Sequence, residues 1–205
     1  PDAVIVTVDI SDKHDPTIRA DITELARDQA ALDSLTSEGF DLVWASPQCA
    51  EYSVANKAAG EPDKERSDDL VRACLTVIAA VQPTYWILEN PESGLPRRPV
   101  VAPLDAYRHR TSYCRYGFPY RKNTYIWTNI LGVSLKRCDH VGPHEQVAQQ
   151  SYQSRTGQPG QGSPERLWRV PQQLVFDLLW PTRPWAWQSR DKNPRAPRPR
   201  LTSPE

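Results

Sequence analysis

Two unbroken apolar runs, "DLVWA" (Asp41–Ala45) and "YWILEN" (Tyr85–Asn90), flank the helix-patterned stretch "LVRACLTVIAAV". This order constrains the fold more than any other feature of the chain. A strand with one wet face alternates polar and apolar residues, whereas an unbroken apolar run is covered on both faces. Strand, helix and strand in that order predict a parallel pair joined by a crossover helix, hence an α/β protein with a mostly parallel sheet. "VIVTVDI" (Val4–Ile10) reads as a further strand. "TIRADI" leads into a helix near residues 22–36, where Ile22, Leu25, Ala26, Leu32 and Leu35 recur at roughly helical spacing. Ser67, followed by two aspartates, reads as the N-cap of the crossover helix, which stops before Pro83.

The second half changes character. "TSYCRYGFPYRKNTYIWTN" is aromatic, basic and β-prone, and the stretch from Gly142 to Glu165 is loop-like. "RVPQQLVFDLLW" reads as a short helix opened by Pro171, and a Pro/Arg-rich irregular tail follows Trp180. The expected organisation is a core over 1–135 with a small β-rich, basic second half. A loop-rich insert over 136–170, a C-terminal helix of the core over 171–180 and a tail over 181–205 complete it.

Net charge is zero but unevenly spread. Residues 1–90 hold 17 Asp/Glu against 7 Lys/Arg, and residues 91–205 hold 8 against 18. That asymmetry suits a polyanion approaching one side, although a tail that solvates itself gives the same split. The segment "YRHRTSYCRYGFPYRK" interleaves Arg108, Arg110, Arg115, Arg121 and Lys122 with Tyr107, Tyr113, Tyr116 and Tyr120. The mixture suits phosphate contacts and base stacking; it equally suits a β-hairpin with aromatic cross-strand pairs. The four cysteines are widely and irregularly spaced, which argues against a secreted disulfide scaffold and for a reducing cytoplasm. No stretch approaches the roughly 20 apolar residues of a membrane span. Cys138, His140 and His144 offer donors suited to zinc at Cys-x-His-x3-His spacing. They fall one short of the usual four, with Cys114 as a fourth, and no resident metal is expected.

In parallel α/β sheets ligands bind outside the carboxyl ends of the strands. Here each strand ends in a polar or reactive group: Asp9, then Pro47 to Cys49, then Glu89 and Asn90. With "PQCAEYS" (Pro47–Ser53), "ENP" (Glu89–Pro91), "GFPYRKNT" (Gly117–Thr124), "VDI" and "ADI", the chain resembles the DNA cytosine-5 methyltransferases. The resemblance covers roughly residues 4 to 130, with "RVPQQL" a faint late echo. In the nucleophile motif Pro-Pro-Cys-Gln-x-Phe-Ser, Gln48 replaces the second proline, Ala50 the glutamine and Tyr52 the phenylalanine. In Gly-Val-Pro-Gln-x-Arg-x-Arg, Tyr120 replaces the glutamine, Lys122 and Thr124 stand at the arginine positions, and Arg121 is one place off. The family's glycine-rich first motif is not found. It is expected on a strand and turn preceding Pro1, so the chain reads as N-terminally incomplete.

The resemblance implies a Rossmann-like S-adenosylmethionine-dependent methyltransferase fold. It also implies methyl transfer to carbon 5 of cytosine in double-stranded DNA, with the target base flipped out. Cys49 would be the nucleophile that adds to carbon 6, and Glu89 would touch N3 and the exocyclic amine. Arg121, or else Lys122, would hold the cytosine carbonyl or simply grip a phosphate. Asp9, Ile10, Asp21, Ile22 and Pro47 would contact S-adenosylmethionine; Asp9 and Asp21 equally suit turn and cap roles. Arg108, Arg110, Arg115 and Lys122 would contact DNA, and Gly60 would hinge a closing loop. Asn90 is expected to brace the cysteine turn. Glu89 has a competing structural reading, as a helix cap or a partner of Arg97 or Arg98. A cytoplasmic monomer of a bacterium or phage-infected cell is expected. An RNA cytosine-5 methyltransferase and a catalytically silent nucleic-acid-binding remnant are the alternatives.

Overall fold

The computed structural model describes residues 4–52, 63–140, 144 and 169–182. The Gly60 loop, most of the 136–170 insert and all but the start of the 181–205 tail lie outside the described residues.

The elements run β1 (Val8–Asp9), β2 (Ile18–Arg19), α1 (Ile22–Leu25), α2 (Gln29–Glu38), β3 (Leu42–Ala45), α3 (Lys64–Val81), β4 (Tyr85–Pro91), β5 (Arg108–Ser112), β6 (Asn123–Thr128) and α4 (Gln172–Leu179). The main sheet has the order β3-β4-β6-β5, and β1 pairs with β2 in a separate parallel ladder. The two apolar runs that opened the reading are β3 and β4. They lie parallel, with Trp44 opposite Ile87 and Ala45 opposite Leu88.

The expectation of a mostly parallel sheet needs correcting. β6 runs antiparallel to both β4 and β5. No crossover helix separates β4 from β6, and antiparallel strands need none. The α/β class holds: one parallel pairing carries the crossover helix α3, and the aromatic, basic segment closes the same sheet as an antiparallel β5–β6 pair. The Val4–Ile10 strand shrinks to two ladder residues, and Val4 and Ile5 are 90% and 75% exposed.

Helix boundaries follow side chains that satisfy the first free N–H groups. The single helix expected near residues 22–36 is two. Asp28 interrupts it, its Oδ1 accepting from the N–H groups of Ala30 (2.9 Å) and Ala31 (3.2 Å) to start α2. α3 starts one turn before Ser67, because Asp63 Oδ1 accepts from Arg66 N at 3.0 Å. Ser67 sits inside the helix and is buried.

Both faces of the main sheet are covered. On one face Trp86, Leu88 and Trp127 pack with Val71 and Ile78 of α3, Tyr52, and Val101 and Leu104 of the 3-10 stretch Pro99–Tyr107. On the other, Ile87 and Ile126 pack with Leu174 and Leu178 of α4 and with Tyr113 and Tyr116. A third cluster joins β1, β2, α1 and α2 to Val81 and Val43. Among the described residues no helix is long and apolar enough to cross a membrane.

Candidate active site

Successive residues of β4 point to opposite faces of the sheet, so Glu89 and Asn90 at its end divide their work. Asn90 is fully buried and its Nδ2 donates to the Pro47 carbonyl at 3.0 Å. This staples the segment after β3 to the end of β4, and Asn90 braces the cysteine turn as expected. Cys49 lies in that segment, half-buried, and its carbonyl accepts from Tyr52 N at 3.1 Å in the short 3-10 turn Ala50–Tyr52.

Tyr52 anchors the turn to the core. Its hydroxyl donates to Asp68 Oδ1 on α3 at 2.7 Å, and its carbonyl accepts from Gly94 N at 3.1 Å. Asp68, 3% exposed, also receives Arg98 Nε and Nη2, at 2.9 and 2.6 Å to Oδ2. Burial raises the Tyr52 phenol, and hydrogen bonding to the Asp68 carboxylate raises it further. The hydroxyl therefore remains a donor. A Cβ on Gly94 would stand 3.4 Å from the Tyr52 carbonyl oxygen, within ordinary van der Waals contact.

Glu89, 5% exposed, accepts from the Tyr113 hydroxyl at 2.9 Å and faces Lys122 Nζ at 3.8 Å. The Lys122 ammonium also lies over the Tyr113 ring, 4.7 Å from its centroid. Carboxylate, phenol and ammonium thus form one nearly dry group. Arg98 is engaged by Asp68 and Glu65, so it is not the partner of Glu89. Burial pushes the Cys49 thiol above its ordinary value; the charge of Lys122 draws it back down and that of Glu89 adds to the rise. The charges of Lys122 and Glu89 thus both reach the Cys49 thiol from beside the ends of β3 and β4.

Arg121 is exposed, and its charge bears on the Cys114 thiol, which burial pushes up to about 11. Lys122 is the cation that turns toward Glu89. It occupies the family's arginine position, whereas Arg121 does not. Of the two readings of the tyrosines, base stacking and packing within the fold, their burial supports the second. Tyr113, Tyr116 and Tyr120 are 0%, 8% and 4% exposed, and Tyr107 meets Trp86 edge to face at 5.6 Å. Their rings alternate with arginines in sequence because the strands and turns send them into the core.

Each candidate DNA-binding arginine has a carboxylate partner: Arg108 with Asp105 (2.9 Å), Arg110 with Glu92 (2.7 Å) and Arg115 with Asp139 (3.7 Å). At the first ladder, Asp9 Oδ1 accepts from Ser11 N at 2.7 Å, forming a turn. Asp21 Oδ1 accepts from the N and Oγ1 of Thr23, both at 2.7 Å, and caps α1. The Thr23 hydroxyl and N–H hold the Asp21 carboxyl below its ordinary value. Ile10 is 65% exposed beside Asp9, while Ile22 packs against the third apolar cluster.

Sequence reasoning used Asp68 only as an acidic residue favouring the start of α3, and it weighed Tyr113 as a stacking aromatic or a cross-strand pair without linking it to Glu89. The buried aspartate inside an amphipathic helix was the available signal for the first. Nothing local marked the second, since Tyr113 reaches Glu89 only through strand pairing.

No family model matches the chain. A protein of Frog virus 3 (isolate Goorha) named "Probable DNA (cytosine-5)-methyltransferase" is 28% identical over 162 residues, which cover 68% of this chain and 74% of that protein. Among solved structures, a prophage-encoded E. coli protein described as a DNA modification methyltransferase aligns with a TM-score of 0.39 and 13% identity. That alignment covers 54% of this chain, which spans about a third (32%) of that chain's length. A viral relative named for cytosine-5 methylation thus matches about two thirds (68%) of this chain.

Proposed function

We propose that this relative of a DNA (cytosine-5) methyltransferase methylates carbon 5 of cytosine in DNA, with Cys49 as nucleophile. The observation that carries the reading is the pairing at the ends of β3 and β4. The cysteine turn is stapled to Asn90, and the adjacent Glu89 is buried with a proton donor and a cation.

Carbon 5 of cytosine is a weak nucleophile until something adds at carbon 6. Cys49 Sγ forms that bond as a thiolate, and the C5–C6 electron pair shifts to carbon 5. Glu89, placed against N3 and the exocyclic amine, stabilises the charge that develops as sulfur adds. Loss of the carbon-5 proton after transfer restores the C5–C6 bond and expels the thiolate. Burial holds Cys49 as a thiol at rest. As the base enters, the Sγ proton passes to solvent and Lys122 balances the charge of the thiolate left behind. Of the two cations weighed for holding the cytosine carbonyl, Lys122 takes the role and Arg121 does not.

S-adenosylmethionine is the donor the resemblance implies and supplies an electrophilic methyl group when bound. The residues present fit it. Asp9, at the carboxyl end of β1, offers a carboxylate to ribose hydroxyls, and the large apolar side chain of Ile10 stands open beside it for an adenine face. Asp21, Ile22 and Pro47 would complete the contacts. Double-stranded DNA would approach the β5–β6 side, with Arg108, Arg110 and Arg115 exchanging carboxylate partners for phosphates and the target cytosine flipped out.

The test is covalent capture. Full-length protein incubated with duplex containing 5-fluorocytosine and S-adenosylmethionine should give a gel-stable adduct, because fluorine blocks the final elimination. Cys49→Ser should abolish it. No adduct from folded protein would overturn the nucleophile assignment.

A further inference from the structure

Away from the Cys49 site, Cys114, Cys138 and His144 bring two sulfurs and one imidazole nitrogen together, all within 4.8 Å of one another. Cys138 Sγ stands 3.4 Å from His144 Nε2. Around a tetrahedral zinc, with bonds of about 2.3 Å to sulfur and about 2.0–2.1 Å to nitrogen, those two atoms would lie about 3.5 Å apart. That pair needs almost no movement, and the remaining pairs of the three already lie within 4.8 Å. His140 stands outside that set of three but next to it, its ring edge to face with that of His144 at 5.1 Å, so it must turn inward to become a ligand.

The cysteines are brought together by hydrogen bonds that involve neither thiol. The segment from Lys136 to Cys138 has no helix or strand of its own, yet it is laced to the end of β5. The Lys136 carbonyl accepts from Thr111 Oγ1 (3.0 Å) and Ser112 N (3.2 Å), and Cys138 N donates to Ser112 Oγ at 3.1 Å. Tyr116 OH accepts from Lys136 N at 2.8 Å. Cys114 lies in the 3-10 turn that follows β5, so the lacing sets Cys138 against it. Both thiols are free and half-buried.

We propose that Cys114, Cys138 and His144 bind a structural zinc ion, with His140 as the fourth ligand. Two thiolates with imidazoles in a tetrahedron suit zinc over magnesium or calcium, which prefer oxygen. Binding releases one proton from each cysteine, so the two thiolates neutralise the dication. The ion would tie Cys138, His140 and His144 to the turn that follows β5. It has no part in methyl transfer.

The full chain, untagged and purified without chelator, should retain one zinc per chain by elemental analysis. Cys138→Ser and His144→Ala should each lose it, and Cys74→Ser, outside the cluster, should keep it. His140→Ala should weaken retention; unchanged retention would overturn the fourth-ligand assignment. Because the cluster variants can misfold, the native chain is also stripped and titrated with cobalt(II). A near-ultraviolet thiolate charge-transfer band with intense tetrahedral d–d bands is expected. A wild-type chain that carries no zinc and gives only the pale spectrum of octahedral cobalt would overturn the site. So would a Cys114–Cys138 disulfide in the protein as purified.

Discussion

Tyr52 stands where the family motif has phenylalanine, and the structure gives its extra hydroxyl a task. Tyr52→Phe keeps the ring in its apolar cluster with Val71, Leu88 and Leu95, so little packing changes. What is lost is one 2.7 Å hydrogen bond to a buried carboxylate. Bonds to charged groups contribute about 1.5–3 kcal/mol. Asp68 retains Arg98, so the carboxylate is not left unpaired and the cost falls at the low end, about 1.5 kcal/mol. With a urea m-value of about 2–3 kcal/mol per molar, the unfolding midpoint should drop by roughly 0.5–0.75 M, read by far-ultraviolet circular dichroism. In an Asp68→Asn background the same substitution removes a bond to a neutral acceptor and should cost about 1 kcal/mol less. Native-state alkylation of Cys49 should hardly change, because the backbone bonds from Tyr52 to Cys49 and from Gly94 to Tyr52 survive. An unchanged midpoint would refute the anchoring role, and so would an equal loss in both backgrounds.

Three further outcomes are expected. Glu89→Gln, which can still accept from Tyr113, should lower methyl transfer about a hundredfold or more while DNA affinity holds; undiminished turnover would return Glu89 to a structural role. Peptide-resolved alkylation should show Cys49 labelling at higher pH in Lys122→Met and at lower pH in Glu89→Gln, since the two charges act on the thiol with opposite sign. Identical profiles would place both charges out of its reach. Cys74 is raised by burial from 9.0 to about 11. The unfolded chain therefore sheds this proton first, and the thiol's contribution, full below pH 9, is lost as pH rises toward 11. Cys74→Ala should flatten that alkaline decline by about 2–3 kcal/mol in denaturant titrations, and an unaltered decline would contradict the shift.

Much of the fold was legible because its signals are local. The apolar runs at β3 and β4, the crossover helix ending before Pro83 and the helix after Pro171 each follow from side chains within a few residues. The errors arose where a choice depended on distant chain. Strand direction is one case: composition marks residues 108–128 as β-prone, but whether they run with or against β4 depends on the connection, not the strand. Capping is another. Asp63 and Ser67 are both competent caps, and the choice falls to Asp63, whose N–H also donates to Glu51 Oε2 at 3.0 Å.

The site divides along the same line. Cys49, Glu89 and Asn90 were legible because strand ends in a parallel pair must meet. Their partners were not, since Tyr113 and Lys122 reach Glu89 from the antiparallel return. There Glu89 sits opposite Ile126, and Tyr113 N donates to the Lys122 carbonyl at 3.0 Å. That register brings Lys122 to Glu89 and leaves its neighbour Arg121 exposed. A motif read by the nearest matching letter chooses Arg121; one read by position chooses Lys122. The same folding changes the meaning of the basic half. Its arginines add to a large formal charge, but Arg108, Arg110 and Arg115 already face Asp105, Glu92 and Asp139. Phosphates would replace these carboxylates rather than fill open positions. Each exchange would then free an acidic group into solvent, and the electrostatic gain on binding would be smaller than the sequence charge implies.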